Sequence, residues 1–314
     1  MSKARYIMIG GFLGAGKTTA IGRLAQRICS QGQRVGLITN DQGSGLVDTT
    51  VLRARGFATE EIQGGCFCCR FNSLLEAARR LTATTRPDVF IAEPVGSCTD
   101  LVATVTYPLR RIYTNDYTIA PLSVFLDPIR ALRIFGLESG GRFSDKVLYI
   151  YRKQLEEADL LVINKADLLE DANICRLRDQ LLREFPEKEI LVISARTGLG
   201  LEHWFQRITS VSQPAGEAMQ VDYGTYAEGE ALLGWLNATV QVNSKTDFDA
   251  NQLLSELAAA VQSRLNQTSA EVAHLKMTFG PDETLGDIAA ISLVRNDLVP
   301  ELSLTLLVKW LPGN

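Results

Sequence analysis

Gly11-Phe12-Leu13-Gly14-Ala15-Gly16-Lys17-Thr18-Thr19 follows a short apolar run, Tyr6-Ile7-Met8-Ile9, and opens onto Ala20-Ile21-Gly22-Arg23-Leu24-Ala25, the first turns of an amphipathic helix. Strand, Gly-rich loop and helix, in that order, form the setting in which a backbone cradles phosphate oxygens. Gly11, Gly14 and Gly16 leave the backbone free of Cβ atoms, so the N–H groups from Gly11 through Ala15 to Thr19 can turn inward at the positive end of the helix. In such a loop Lys17 reaches the β- and γ-phosphates and the Thr18 hydroxyl ligates Mg²⁺. The plainer alternative, a Gly-rich turn with an exposed lysine, does not account for the flanking strand and helix. The glycines do not spell G-x-G-x-x-G, which disfavours a dinucleotide fold.

Outward from this loop, the 314 residues suggest about two domains and ample length for a large core. With 46% hydrophobic and 22% charged residues the composition is that of a globular protein. No apolar run approaches the roughly 20 residues needed to span a bilayer, and Met1-Ser2-Lys3-Ala4-Arg5 leads straight into a strand. A cytoplasmic location without membrane contact is therefore expected. A net charge of −4 and the lack of a dense Lys/Arg cluster argue against a nucleic-acid partner.

Over the first 210 or so residues, strand-like apolar runs alternate with helical patterns, which predicts an α/β fold: a mostly parallel sheet flanked by helices. The candidate strands are 5–9, 34–39, 88–93, 122–126, 159–164 and 189–194. Ligands of such sheets collect at the carboxyl ends of the strands, so the loops there are where chemistry is expected. After the second strand, Asn40-Asp41-Gln42-Gly43-Ser44-Gly45 is either a plain turn or a mobile loop whose Asp41 meets Mg²⁺. The third ends in Glu93-Pro94-Val95-Gly96, which places Glu93 to hold a Mg²⁺-bound water and Gly96 to offer its N–H to a γ-phosphate.

The fifth strand runs into Asn164-Lys165-Ala166-Asp167. Asn-Lys-x-Asp at a strand end is the guanine-reading signature, in which the Asp carboxylate accepts from guanine N1 and the exocyclic amine; a site built for those donors rejects a base that lacks them. After the sixth strand, Ser194-Ala195-Arg196 stands where a short loop supports the base through backbone contacts.

Six cysteines occur, at 29, 66, 68, 69, 98 and 175, and Gly64-Gly65-Cys66-Phe67-Cys68-Cys69 holds three of them. Thiols at i, i+2 and i+3 cannot converge from a regular helix or strand, and Gly64-Gly65 makes the required turn available. Three thiolates suit Zn²⁺ or another thiophilic divalent ion and leave a fourth position open; buried structural thiols and a redox site are the alternatives.

The motifs GFLGAGKTT, GGCFCC, EPVG, NKAD and SAR, in this order, resemble the CobW-like family of metal-linked P-loop GTPases over roughly residues 4–208, together with the helical segment 151–159. The resemblance implies a metallochaperone or metal-insertion GTPase in which GTP and Mg²⁺ control metal on Cys66, Cys68 and Cys69, delivered to a client metalloprotein. It also implies departures. The loop at Asn40-Asp41-Gln42-Gly43 stands where the family commonly has Asn-Glu-Phe-Gly, so Asp41 replaces the usual acid, and Glu93-Pro94-Val95-Gly96-Ser97-Cys98 replaces Glu-Thr-Thr-Gly and makes Cys98 a candidate extra ligand. The regions 107–119 and 127–149 fall outside the pattern.

Residues 212–220 read as a linker between a GTPase domain, 1–211, and a smaller α+β domain, 221–314. In the latter, strands at 232–242, 272–279, 288–294 and 302–310 and a helix at 248–265 predict a helix packed on an antiparallel sheet. Competing with the metallochaperone are a GTP-dependent regulator with structural thiols and a small-molecule kinase; Asn164-Lys165-Ala166-Asp167 speaks against the kinase. Lys17, Thr18 and Glu93 are the expected catalytic residues. No arginine finger is evident, so slow turnover, raised by a partner or by homodimerisation, is expected. Zn²⁺ suits the thiolates, and Co²⁺, Ni²⁺ or copper are also admitted.

Overall fold

In the computed structural model, residues 3–41, 47–63, 67, 71–113, 115–141, 143–213, 219–268, 270–280 and 287–307 are described. The chain divides into two compact units: residues 1–42 with 57–234, and residues 43–56 with 235–314.

The first unit is built on β1 (Ala4–Gly11), β2 (Val35–Asp41), β3 (Ala58–Gln63), β4 (Val89–Glu93), β5 (Tyr117–Ile119), β6 (Ser123–Leu126), β7 (Leu160–Ile163) and β8 (Glu189–Val192). Their order in the sheet is β3-β2-β4-β1-β6-β7-β8, and every pairing is parallel. β5 lies beside the first half of β1, at Ala4 to Tyr6, and β6 beside its second half, at Ile9 to Gly11. The central strands are apolar almost without interruption because both faces are covered: β4, β6 and β7 are buried at every position. Six of the strands match the sequence expectation closely. The two additional strands are β3, whose Thr59-Glu60-Glu61 pattern suits a sheet edge, and the three-residue β5.

The covering helices are α1 (Lys17–Ser30), α3 (Phe71–Thr84), α4 (Tyr107–Ile112), α5 (Pro128–Ile134), α6 (Asp145–Glu157), α7 (Asp171–Glu184), α8 (Leu201–Ser210) and α9 (Tyr223–Leu232); α2 (Val47–Ala54) belongs to the second unit. α1 turns Ala20, Ile21, Leu24, Ala25 and Ile28 inward, the i, i+3, i+4 spacing of a surface helix. α6 begins six residues before the expected 151 and ends at Glu157; Ser144 caps it through a hydrogen bond from the Val147 N–H.

The strand expected at 232–242 does not form. α9 occupies residues 223–232, capped by Asp222 and packed on α6, where a Cβ at Gly229 would lie 2.6 Å from the Lys146 carbonyl oxygen. Residues 235–242 carry the alternation of a strand, yet Leu236 is 92% and Val240 77% exposed. Alternation alone does not make a strand without an edge to pair with. The unit boundary accordingly falls after Gly234 instead of near residue 211 or 221.

The second unit carries α10 (Ala250–Gln267), capped by Asp249, across the antiparallel sheet β11-β10-β9 (β9 Leu275–Phe279, β10 Ala289–Leu293, β11 Glu301–Leu304). Leu254, Ala258, Ala289 and Ile291 form its core. α2 packs on β9, and Asp48 pairs with Lys276. Among the described residues no helix is long and apolar enough to cross a membrane.

Candidate functional site

Strand register brings the carboxyl ends of the first unit's sheet together. Gly11 pairs with Phe125, Thr39 with Glu93 and Ile163 with both Leu126 and Val192. The loops leaving β1, β4, β6, β7 and β8 therefore share one edge, with β1 at the point where the chain's connections diverge. Residue 41 stands two positions beyond the Thr39–Glu93 pairing; its side chain lies outside the description.

The phosphate loop leaves β1 with Gly11, Gly14 and Gly16 all at positive φ. Lys17, buried at the first position of α1, donates to the Gly11 carbonyl at 2.8 Å. The first turn of α1 holds no acidic side chain and its N-cap is Gly16, so the helix presents N–H groups and an uncompensated positive end. Thr18 Oγ1 donates to Glu93 Oε1 at 3.0 Å across the β1–β4 pairing. A hydroxyl and a carboxylate at this separation are the hard oxygen donors that Mg²⁺ takes, so these residues fit the ion. Thr19, in the same first turn, is exposed.

The loops after β7 and β8 clamp the phosphate loop from behind. Asn164, fully buried at the end of β7, donates from Nδ2 to the Ala15 carbonyl at 2.8 Å and accepts the Ala195 N–H on Oδ1 at 2.9 Å. Lys165, at φ 57°, donates from Nζ to the Gly14 carbonyl at 2.7 Å and to Asp127 Oδ2 at 2.8 Å. Asp167 is exposed in the short 3₁₀ turn Ala166–Leu168. The Ser194 hydroxyl accepts the Thr197 N–H at 3.1 Å, and the Arg196 carbonyl accepts from Arg23 Nη2 at 2.8 Å. One polar lattice thus joins Ala15, Asn164 and Ala195.

Four residues of this neighbourhood were not singled out from the sequence. Asp127 caps α5 by accepting the Arg130 N–H at 2.9 Å. Burial alone would raise its carboxyl, but Lys165 and Arg130 outweigh it and hold the group below the usual range. Asp127-Pro128 at a strand end is a readable cap signal; Arg130, Gln154 and Glu157 have none. Gln154 Nε2, buried on α6, donates to the carbonyls of Gly96 and Cys98 at 2.9 Å each. Glu157 Oε2 accepts the Leu101 N–H at 2.7 Å and the Val102 N–H at 3.4 Å. Burial, reinforced by Asp100, pushes Glu157 up to about 8 against the lowering effect of those two N–H groups.

Cys66, Cys68 and Cys69 lie outside the described residues. Phe67 between them is fully buried in the main core, and its backbone, beside the Cys98 thiol, acts to lower that thiol's pKa. Burial, with Glu230 next in weight, pushes that thiol's pKa up. Among the described residues no cluster of His, Cys, Asp and Glu is arranged to hold a metal.

Sheet order, phosphate loop and the clamp behind it define a P-loop nucleotide-binding domain. Residues 5–192 match the CobW/HypB/UreG nucleotide-binding domain model, and the chain belongs to that family. The zinc chaperone CobW of Sinorhizobium sp is 31% identical over 212 residues, which cover 61% of this chain and 58% of that protein. The zinc chaperone CobW of Pseudomonas aeruginosa is 28% identical over 226 residues, covering 64% and 59%. The matches span less than two thirds of either relative. Among solved structures, the hydrogenase maturation factor HypB from Archaeoglobus fulgidus aligns over 65% of this chain and 87% of its own, at 22% identity and a TM-score of 0.45.

Proposed function

We propose that this chain is a GTP-hydrolysing metallochaperone that carries a thiophilic divalent ion, Zn²⁺ first among them, on Cys66, Cys68 and Cys69 and releases it to a client metalloprotein under nucleotide control. The observation that carries this reading is the convergence on one loop of the Thr18–Glu93 pair and the Asn164–Lys165 clamp. Phe67, within the thiol stretch, lies beside the Cys98 thiol, two residues beyond Gly96. The names of the two CobW relatives support zinc as cargo.

In this reading Mg²⁺, when bound, neutralises charge on the β- and γ-phosphates. Thr18 and Glu93 hold it, with Asp41 as a further donor. Lys17 exchanges the Gly11 carbonyl for phosphate oxygens, and the N–H groups of Gly14 and Gly16 hold the triphosphate in place, while that of Ala15 closes the loop on the Phe12 carbonyl at 3.2 Å. Gly96 donates its N–H to the γ-phosphate, so γ-phosphate loss changes what the loop carrying Cys98 is bonded to. Asp167 reads guanine while Ala195, fixed by Asn164, backs the base.

The test is turnover of GTP and ATP by the wild type and Asp167→Asn, with elemental analysis of the purified protein. Preferred GTP turnover, loss of that preference in Asp167→Asn, and bound metal are expected. Equal use of ATP by the wild type contradicts the base assignment. A second reading, a GTP-dependent regulator with structural thiols, is favoured by the complete burial of Phe67; GTP turnover by protein without metal affinity supports it instead.

A further inference from the structure

Behind the phosphate loop stands a buried cation that the reading above does not use. Arg130 occupies the third position of α5, and its side chain is almost fully enclosed. Its guanidinium carbon lies 5.5 Å from the Phe12 ring centre and 5.3 Å from that of Phe143, and the two rings meet edge to face at 5.5 Å. Nη1 donates to the Leu13 carbonyl. Phe12 and Leu13 are the two residues between Gly11 and Gly14, so one side chain grips the loop by both a ring and a peptide.

Leu13 is also where the loop meets Gly96. A Cβ on Gly96 would fall 2.9 Å from the Leu13 backbone nitrogen and 2.8 Å from its side chain, so the two backbones are in direct contact. Under the proposed function, Gly96 faces the γ-phosphate; the Leu13 peptide then borders the same position. A guanidinium keeps its charge at any working pH. Burying one is costly unless it is paired and hydrogen-bonded. Here Asp127, the Leu13 carbonyl and the faces of two aromatic rings supply the compensation.

The geometry points to Arg130 as a positioning residue for GTP hydrolysis: it locks the Leu13 peptide against Gly96 and sets a fixed positive charge beside the γ-phosphoryl group. This rests on the GTPase reading. In the reaction, the water oxygen bonds to the γ-phosphorus, the bond from that phosphorus to the β–γ bridging oxygen breaks with its electron pair going to GDP, and the water's proton leaves with phosphate. Arg130 neither gains nor loses a proton. Its part is to hold donors and charge where negative charge accumulates, so its effect is larger on the transition state than on bound GTP.

The experiment is single-turnover GTP hydrolysis by wild type, Arg130→Met and Arg130→Lys with Mg²⁺, alongside GDP affinity, GDP–aluminium fluoride affinity and a thermal melt. Removing a directly placed transition-state donor costs about 100-fold or more; for a residue acting through Leu13, a loss of about 10-fold or more is expected for Arg130→Met. GDP affinity should change little, while affinity for the GDP–aluminium fluoride complex falls in step with the rate. Arg130→Lys keeps the charge but not the planar stacking and should fall between. If Arg130→Met does not fold, Arg130→Lys decides by the same ratio. A wild-type rate and wild-type aluminium fluoride affinity with only a lowered melting temperature assign Arg130 to packing and overturn the inference alone. A wild type that does not hydrolyse GTP overturns the function beneath it as well.

Discussion

Gly16 meets two constraints at once. Its φ of 87° lies in the left-handed region, and a Cβ there would stand 2.4 Å from Asn164 Nδ2, the atom that holds the Ala15 carbonyl. Gly16→Ala therefore strains the backbone and drives Asn164 off the loop. A loss of about 2 kcal/mol in stability and of measurable GTP binding is expected by chemical denaturation and calorimetry; a variant that binds GTP normally would show that the Asn164 clamp is dispensable. Glu157 offers a separate test. Its native pKa, about 8, is above its ordinary value of 4.5, so between those values the folded chain keeps a proton that the unfolded chain has released. Stability contributed this way falls as pH rises through that window, with a slope of up to about 1.4 kcal/mol per pH unit. Above it the buried carboxylate, next to Asp100 and Cys98, stays ionised. Glu157→Gln should flatten the stability-pH curve between pH 5 and 8, and an unchanged slope in denaturant melts would contradict the raised pKa. The residues legible in the sequence were those whose spacing is itself the signal, Lys17, Thr18 and Asn164 among them. Arg130 and Gln154 were not, because their partners lie 117 and 58 residues away and no local pattern announces them.

Among the elements, legibility followed burial. β1, β4, β6 and β7 are continuous apolar runs because helices cover both faces of the sheet, and such runs are read directly. β3 escaped because this edge strand carries polar residues: Thr59 is buried with its hydroxyl on the Phe57 carbonyl, while the half-buried Glu60 and Glu61 meet Arg80 and Gln63; its pairing from Gly36 to Asp41 supplies what its composition does not. The false strand at 232–242 has the converse cause: a period of two without an edge to bond to. α9 was hidden by Gly224 and Gly229, poor helix formers, of which Gly229 is kept for its close approach to α6. Its Tyr223 hydroxyl donates to Asp100, a residue held at φ 62°. That contact and the two bonds from Gln154 fix the loop after β4 at Gly96, Cys98 and Asp100. Tyr223→Phe should loosen that loop at its Asp100 end: amide exchange at residues 97–102 is expected to quicken about tenfold, the equivalent of one lost hydrogen bond of about 1.4 kcal/mol. Unaltered exchange would mean that α6 alone holds the loop.

At the scale of the whole molecule, the chain leaves the first unit after Gln42, returns at Phe57 and leaves again after Gly234. The excursion begins two residues after Asp41, just past the strand end where Mg²⁺ is proposed to bind, and α2 within it is anchored in the second unit through Asp48 and Lys276. The return leads through β3 into the thiol stretch that begins at Gly64. Covalent continuity thus runs from the nucleotide edge through α2 and β3 to Cys66, Cys68 and Cys69. If nucleotide and metal sites are coupled along it, GTP must alter metal affinity by the factor by which metal alters GTP affinity. With thiolates as the proposed ligands, metal affinity should also weaken as pH falls. The most direct measurement is a Zn²⁺ titration of the full chain with GDP and with a non-hydrolysable GTP analogue, repeated as nucleotide titrations with and without Zn²⁺. The account predicts unequal Zn²⁺ affinities in the two nucleotide states and the same ratio in the reciprocal experiment; equal affinities would contradict it.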